Sequence, residues 1–242
     1  MTVTIGTSVI CMDHINFADH VRMAEKIGVD YLHLDVMDGH FVPRYGLYPE
    51  IVKRIIDITD LKLDLHLMVA DPEFALDQFA PYLPYIEYVN FHYEAAPANA
   101  FRIADRILEL GSKPGVAINM STTPHALINL LESNILQSVC IMGIHPGVLK
   151  QTARPLLASS QASLFNRLVP GEGRPEFIQV DGGVQLNSTV RTLVENGVNN
   201  LVCGTSTLYK GIDVANDPLE VQMSKMRINK ELLDRYIAGE LQ

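Results

Sequence analysis

Eight short runs rich in β-branched and aliphatic residues recur along the chain. They lie at Val3–Ser8, Tyr31–Asp35, Lys62–Met68, Tyr88–His92, Gly115–Asn119, Ser138–Met142, Glu176–Asp181 and Asn200–Gly204. Longer stretches separate them, with apolar residues three and four apart. Examples are Phe17, Val21, Ala24 and Ile27; Ile51, Ile55 and Ile58; Phe101, Ala104, Ile107 and Leu108; and Leu186, Val190, Leu193 and Val194. The first pattern is that of a strand and the second that of an amphipathic helix. Regular β-α alternation forces parallel strands joined by crossover helices. Eight such units in 242 residues, roughly thirty residues each, predict an α/β fold of the closed (β/α)8 TIM-barrel type rather than an open sheet. The barrel is expected to be a single domain over 1–242, with the last helix beginning near Pro218. Gly28, Gly111 and Gly197 stand where helices should close, and Thr122 and Thr123 before Pro124 read as a helix N-cap followed by proline. Two connections are long, Met37 to Pro49 after strand two and Gly143 to about Pro155 after strand six. In such a barrel both would lie on the C-terminal face, where sites are built.

Composition narrows the partners. The chain carries 19 basic and 28 acidic residues, a net charge of −9, and 48% of its residues are apolar. A nucleic acid or an anionic membrane surface needs a basic face, so neither is an expected partner. A small anionic substrate stays open where backbone N–H groups converge. Cys11, Cys140 and Cys203 are an odd number without CxxC spacing, which fits neither a disulfide framework nor a zinc finger. Reduced, buried thiols in a cytoplasmic protein are expected. The first residues carry no basic cluster and Asp13 closes their apolar run, so no secretory leader is expected. No apolar stretch reaches the ~18 residues of a membrane span.

Charged and polar residues end strands that are otherwise apolar. His33 and Asp35 are two apart on strand two and share one face, and His66 shares a face of strand three with Met68. Strand seven ends in Asp181, strand four offers His92 and Glu94, strand five Asn119, and strand one Ser8. Taken singly, each is an ordinary hydrogen-bonded strand-end residue. Together, His33, Asp35, His66 and Asp181 lie at matching depth on three strands, and buried charges need partners. Two imidazoles and two carboxylates suit one divalent ion of Zn, Mn, Fe or Co better than Mg or Ca.

Glycines mark a second feature. Asp181-Gly182-Gly183 precedes helix seven and Gly204-Thr205-Ser206 precedes helix eight. Adjacent turns of this kind hold phosphate in many barrels through backbone N–H groups and helix N-termini, although left-handed turn geometry alone also calls for glycine. The run His145-Pro146-Gly147 either closes over a ligand or is a simple turn. Met37, Met68 and Met142 each lie near the end of a different strand, as core filler or as a dry apolar lid over a planar intermediate.

The runs LHLDVMDGHFVP (Leu32–Pro43) and LDLHLMVADPE (Leu63–Glu73), with FHYE (Phe91–Glu94) and VDGGV (Val180–Val184), resemble the ribulose-phosphate 3-epimerase family. The match runs in order from Ser8 to about Tyr209. The resemblance implies a (β/α)8 barrel that inverts C3 of a phosphorylated ketose, interconverting D-ribulose 5-phosphate and D-xylulose 5-phosphate in the pentose phosphate pathway. It implies metal ligation by His33, Asp35, His66 and Asp181, and acid/base roles for Asp35 and Asp181. It also implies that Ser8, Met37, Met68 and Met142 surround the substrate and that Gly147, Gly182, Gly183, Gly204 and Thr205 face the sugar phosphate. Inversion takes a proton from one face and returns it on the other, which two carboxylates flanking a cis-enediolate can do. A divalent ion on the C2 and C3 oxygens would act as Lewis acid, and no organic cofactor is required. A homo-oligomer is expected from the family.

Three places depart from the family pattern. Arg44 follows Phe41-Val42-Pro43 where the family has Asn. The loop usually written PGFGGQ is Pro146-Gly147-Val148-Leu149-Lys150-Gln151 here, so either Lys150 supplies a charge in place of N–H contacts or the loop no longer closes. Strand eight ends in Gly204-Thr205-Ser206-Thr207 rather than a Gly-Ser-Ala type of sequence. These changes bear on substrate identity, and a hexulose 6-phosphate of the allulose/fructose pair is the alternative. Two further classes are aldol cleavage or decarboxylation of a phosphosugar, and binding of a phosphosugar without turnover. A Schiff-base aldolase would need a lysine ending an inner strand, and the chain has none there.

Overall fold

The computed structural model describes residues 2–148, 151–169, 171 and 173–241. Eight parallel strands close into a barrel in chain order. They are β1 (Thr4–Ser8), β2 (Tyr31–Met37), β3 (Lys62–Met68), β4 (Tyr88–His92), β5 (Lys113–Ile118), β6 (Ser138–Met142), β7 (Phe177–Asp181) and β8 (Asn200–Cys203). The helices α1 (Phe17–Ile27), α2 (Pro49–Ile56), α3 (Pro72–Phe79), α4 (Ala100–Glu109), α5 (Ile128–Glu132), α6 (Pro155–Leu168), α7 (Thr189–Glu195) and α8 (Leu219–Ala238) alternate with them. Gly28 takes φ +76 at the end of α1, and Gly111 and Gly197 take positive φ just past α4 and α7. Pro124 does open a helical turn after Thr123, but neither threonine caps it, because the Thr122 hydroxyl donates instead to Glu94. Among the described residues, no helix is long and apolar enough to cross a membrane.

The two faces of the strands carry different chemistry. Leu32, Leu34, Val36, Leu65, Leu67, Val89, Phe91, Val139, Ile141 and Val180 belong to one apolar cluster with helix residues such as Val21, Ala24, Val52, Ile55, Ile103 and Ile107. That shell between sheet and helices is the hydrophobic core. The alternate residues point into the lumen, where hydrophobic filling is the usual solution. Here the lumen is polar: Asp64, Asn90, Gln179 and Asn200 are buried, and their side chains bond across it. Gln179 Nε2 donates to Asp64 Oδ2 at 2.7 Å and to Asn200 Oδ1 at 3.0 Å, and the Tyr31 hydroxyl donates to Asn200 Oδ1. This layer also roofs a cavity of about 200 Å³ at the N-terminal end of the barrel. Burial pushes the thiols of Cys11 up to about 11 and Cys203 up to about 12, so both stay protonated at neutral pH, and all three cysteines are free.

Room for the Tyr31 ring comes from Gly6, its register partner on β1. A Cβ at position 6 would fall inside that ring. Gly6→Ala is therefore expected to lower stability by about 1–3 kcal/mol through overpacking, read as a lower urea midpoint at unchanged slope. An unchanged midpoint would mean that Tyr31 moves aside without cost.

Candidate active site

The strand register brings the polar strand ends to one mouth. Asp35 lies beside His66, Met37 beside Met68, Ser8 beside His33, and Met142 beside Asp181. His33, Asp35, His66 and Asp181 meet there, each offering one ligand atom, with all four atoms within 4.8 Å of one another. His33 Nε2 is 3.4 Å from Asp35 Oδ1 and 3.6 Å from Asp181 Oδ2. His66 Nδ1 is 3.7 Å from Asp35 Oδ1 and 3.2 Å from Asp181 Oδ2, and the two ring nitrogens are 3.2 Å apart. Both imidazoles are fully buried, while Asp35 and Asp181 keep 5% and 8% of their surface exposed. The carboxylates are thus the members of the group that face the mouth.

These separations permit a test of fit to a metal ion. A tetrahedral ion with bonds of ~2.0–2.1 Å holds its ligand atoms ~3.3–3.4 Å apart. Five of the six separations, from 3.2 to 3.7 Å, bracket that spacing, and the sixth, between the two carboxylates, is within 4.8 Å. The donor set also fits, since His33 is oriented from behind. Its Nδ1 lies 2.8 Å from Asp64 Oδ2, an acceptor, so Nδ1 carries the hydrogen and Nε2 presents its lone pair to the centre. Asp64 is itself held by Asn90 Nδ2 at 2.7 Å and by Gln179 Nε2 at 2.7 Å. The buried His/Asp group can therefore hold a metal.

Electrostatics follow from burial and proximity. Burial opposes the charge on His33, yet the nearby carboxylates of Asp35, Asp64 and Asp181 outweigh it and raise its pKa well above the ordinary imidazole value. Burial likewise opposes the charge on His66, and its hydrogen bonds to Asp181 and Asp35 raise it. Burial works against the ionised carboxylates too, but the two histidines overcome it. Asp35 is held down to about 2 and Asp181 well below the usual carboxylate range.

The other predicted positions divide into groups. The Ser8 hydroxyl donates to Asp35 Oδ2 at 2.6 Å. Met37 and Met68 pack together with Val42, Ile10 and Phe41, whereas Met142 sits in a separate cluster with Ala117, Cys140 and Ile144. Gly182 and Gly183 both take φ +73 directly after Asp181, a left-handed pair that side chains rarely adopt. A Cβ on Gly183 would meet Gly143 O and Ala153 Cβ, each at 2.9 Å, so the turn after β7 lies against the β6–α6 loop. Gly147, at φ +72, sits on Val42 of the β2–α2 loop. Gly204 ends β8 at a position where a Cβ would stand 3.0 Å from Cys11 Sγ, and Thr205 is exposed. Neither glycine run opens directly into a helix: α7 begins at Thr189 and α8 at Leu219, with turns between. Any anion contact there comes from turn N–H groups rather than from a helix end. Lys150, with Leu149, lies outside the described residues.

Asp64, Asn90 and Gln179 were not singled out by the strand-end pattern, because they lie deeper in the lumen. Their signal was parity: each is two or four residues from a strand-end group on the same face.

A model of the ribulose-phosphate 3 epimerase family matches residues 4–208. The ribulose-phosphate 3-epimerase of Methanocaldococcus jannaschii is 32% identical over 208 residues, covering 86% of this chain and 85% of that protein. The chain belongs to the ribulose-phosphate 3-epimerase family. The Bacillus subtilis ribulose-phosphate 3-epimerase is also 32% identical, over 92% of this chain and 100% of its own. As a member of the family the chain is an isomerase, an epimerase acting on carbohydrate. Solved structures agree on the barrel alone. A tryptophan synthase α-subunit from Pyrococcus furiosus superposes with a TM-score of 0.65 at 12% identity, covering 98% of each chain. A phosphoribosylanthranilate isomerase from Thermotoga maritima gives 0.59 at 14%, covering 98% of this chain and 100% of that one.

Within this epimerase-family site, Gln151 clamps the β6–α6 loop. Its Oε1 accepts from the His145 N–H at 2.7 Å, and its Nε2 donates to His145 O at 2.5 Å and to Val148 O at 2.7 Å. Gln151→Ala is expected to speed amide exchange at His145 by roughly 10-fold, the loss of about 1.4 kcal/mol of net hydrogen bonding. An exchange rate equal to that of the parent protein would show that the loop is held by other contacts.

Proposed function

We propose that the protein interconverts D-ribulose 5-phosphate and D-xylulose 5-phosphate, with Asp35 and Asp181 as its two acid/base residues. The observation that carries this reading is the pair of carboxylates, distant in the chain, meeting over the same two imidazoles at the open end of the barrel. One carboxylate, ionised, takes the proton from C3 and leaves a planar cis-enediolate. The other returns a proton to the opposite face; both are ionised in the metal-free protein, so that proton is taken up before the substrate complex reacts. Reversing the reaction exchanges their roles. Ser8, donating to Asp35 Oδ2, aims that carboxylate. Met37 and Met68 on one side, and Met142 on the other, offer apolar walls that exclude water from the reacting carbons. The turn N–H groups at Gly182, Gly183, Gly204 and Thr205, with Gly147 across the loop, take the phosphate end and fix C3 between the acids.

His33, Asp35, His66 and Asp181 would hold a single divalent ion of the Zn, Mn, Fe or Co type. When bound, that ion supplies Lewis-acid stabilisation of negative charge on the sugar oxygens. The three free cysteines fit a reducing, cytoplasmic setting. A hexulose 6-phosphate of the allulose/fructose pair is the second reading. Arg44 and the altered run from Pro146 to Gln151 favour it, because they depart from the family pattern in loops expected to meet the substrate.

Asp181→Asn is expected to cut turnover by about 10²–10⁴-fold while leaving the melting temperature nearly unchanged. NMR of the ketose phosphate in D2O with metal-loaded protein reads it directly as lost deuterium incorporation at C3. Near-normal turnover would remove the two-base scheme. The same assay over pentulose and hexulose phosphates separates the two readings of the substrate.

Acidity should also oppose metal binding. In the metal-free protein His33 and His66 hold protons above the ordinary imidazole pKa, and a metal must displace them. Asp35 and Asp181 are already ionised and do not compete. Zinc affinity should therefore fall as pH falls, beginning above pH ~6.5, and zinc binding near neutrality should release protons. Chelator competition at several pH values measures this, and an affinity flat from about pH 8 to about pH 6 would contradict the two-imidazole site.

A further inference from the structure

The paired backbones of β2 and β3 run out at the mouth. Their register ends with Met37 beside Met68, the two methionines that wall the reacting carbons in the proposed chemistry. One residue further on, a side chain takes over from the sheet. Asp38 Oδ2 accepts from the Ala70 N–H at 2.8 Å, so a carboxylate joins the chain leaving β2 to the chain leaving β3. Its other oxygen, Oδ1, accepts from the N–H groups of His40 and Phe41, both at 2.8 Å. This is an Asx turn, in which an aspartate bonds the backbone two and three residues on. Gly39, at φ +71, supplies the left-handed step inside it.

The loop pinned in this way carries much of the mouth. Phe41 packs with Met37, Met68 and Val42, and its ring covers His92 with centroids 4.9 Å apart. The loop then doubles back along the strand it left. Gly39 N–H donates to Arg44 O at 3.0 Å, Gly46 N–H to Met37 O at 3.0 Å, and Leu47 N–H to Asp35 O at 2.8 Å. The last of these bonds reaches the backbone of a proposed acid. The fit there is close, since a Cβ at Gly46 would collide with Asp35 O and Met37 N. Asp38 itself is half-buried and lies outside the group of four that meets at the centre. We propose that Asp38 is a positioning residue. By tying Ala70 to the Asx turn, it holds the Met37–Met68 wall and the loop that returns onto Asp35 in one geometry. The catalytic part of this proposal rests on the reading of Asp35 as an acid, whereas the tie itself does not.

Asp38→Asn separates the two duties of the carboxylate. An amide oxygen in place of Oδ1 keeps both bonds of the turn. The NH2 in place of Oδ2 faces the Ala70 N–H, donor against donor, and the tie is cut. Amide exchange followed by NMR reads the tie, and steady-state kinetics of Zn(II)-loaded protein on D-ribulose 5-phosphate reads the positioning. In the parent protein the Ala70 amide is expected to be protected although the residue is exposed. In the variant it should exchange roughly 10-fold faster, with His40 and Phe41 unchanged. Turnover, kcat, should fall by about 10- to 100-fold with KM changed less than about threefold, because the loss falls on alignment at the reacting carbons and not on the phosphate end. A merely structural bond would lower the melting temperature and leave kcat of the folded enzyme alone. Two results would overturn the proposal: an Ala70 amide in the parent that exchanges as fast as an unbonded one, or a folded variant with the parent's kcat. If the variant does not fold, the parent's Ala70 exchange alone decides. Absence of turnover in the parent enzyme would sink the acid reading of Asp35, while Ala70 exchange would still test the tie.

Discussion

A charge inside a barrel must find a partner inside the barrel, and much of this molecule follows from that requirement. Asp35, Asp64, His33, His66, His92 and Asp181 are all nearly or fully removed from water. Leaving any of them unpaired would cost several kcal/mol, of order the whole margin of stability. The structure satisfies them by running hydrogen bonds across the lumen between strands that are far apart in sequence. The apolar work of folding is carried by the outer face, where the strands meet the helices. This separation lets the inner face be spent on chemistry.

Much of this architecture was legible in the order of residues. The eight strands lie within a few residues of the runs that predicted them, and β3, β4 and β6 match end to end. Strand parity alone was enough to place His33 with Asp35 and His66 with Met68 on common faces. Contacts that exist only because the sheet closes were not legible. Nothing local to Asp64 shows that Gln179, 115 residues away, will donate to it. Nothing around Thr122 shows that its hydroxyl will go to Glu94 instead of capping the turn beside it. In that case a tertiary carboxylate competed with a local N–H group and won, a conflict that propensity cannot resolve. The glycine runs precede α7 and α8 as their order in the sequence predicts, but turns stand between, because the helices start well downstream.

The loops at the mouth form a connected set rather than independent flaps. Asp38 accepts from the N–H groups of His40 and Phe41 within its own loop and from Ala70 N–H after β3, tying two connections together. Gly147 rests on Val42, which links the β6–α6 loop to the same assembly. Two of the three departures from the family pattern, at Arg44 and at the described residues Pro146–Val148 and Gln151, sit on these linked connections, and the third, Gly204-Thr205-Ser206-Thr207, follows β8. Divergence has thus collected in the connections, while the inward-facing strand residues hold the hydrogen-bonded frame.

The joint between β6 and β7 has a mechanical meaning. Gly143 donates its N–H to the carbonyl of Asp181 at 2.8 Å, and its own carbonyl accepts from Arg154 N–H at 2.9 Å, where the β6–α6 loop returns to α6. The base of that loop and the main chain carrying the Asp181 carboxylate are therefore joined through a single residue, Gly143. A displacement at the base of that loop would therefore reach, through two hydrogen bonds, the backbone that aims an acid.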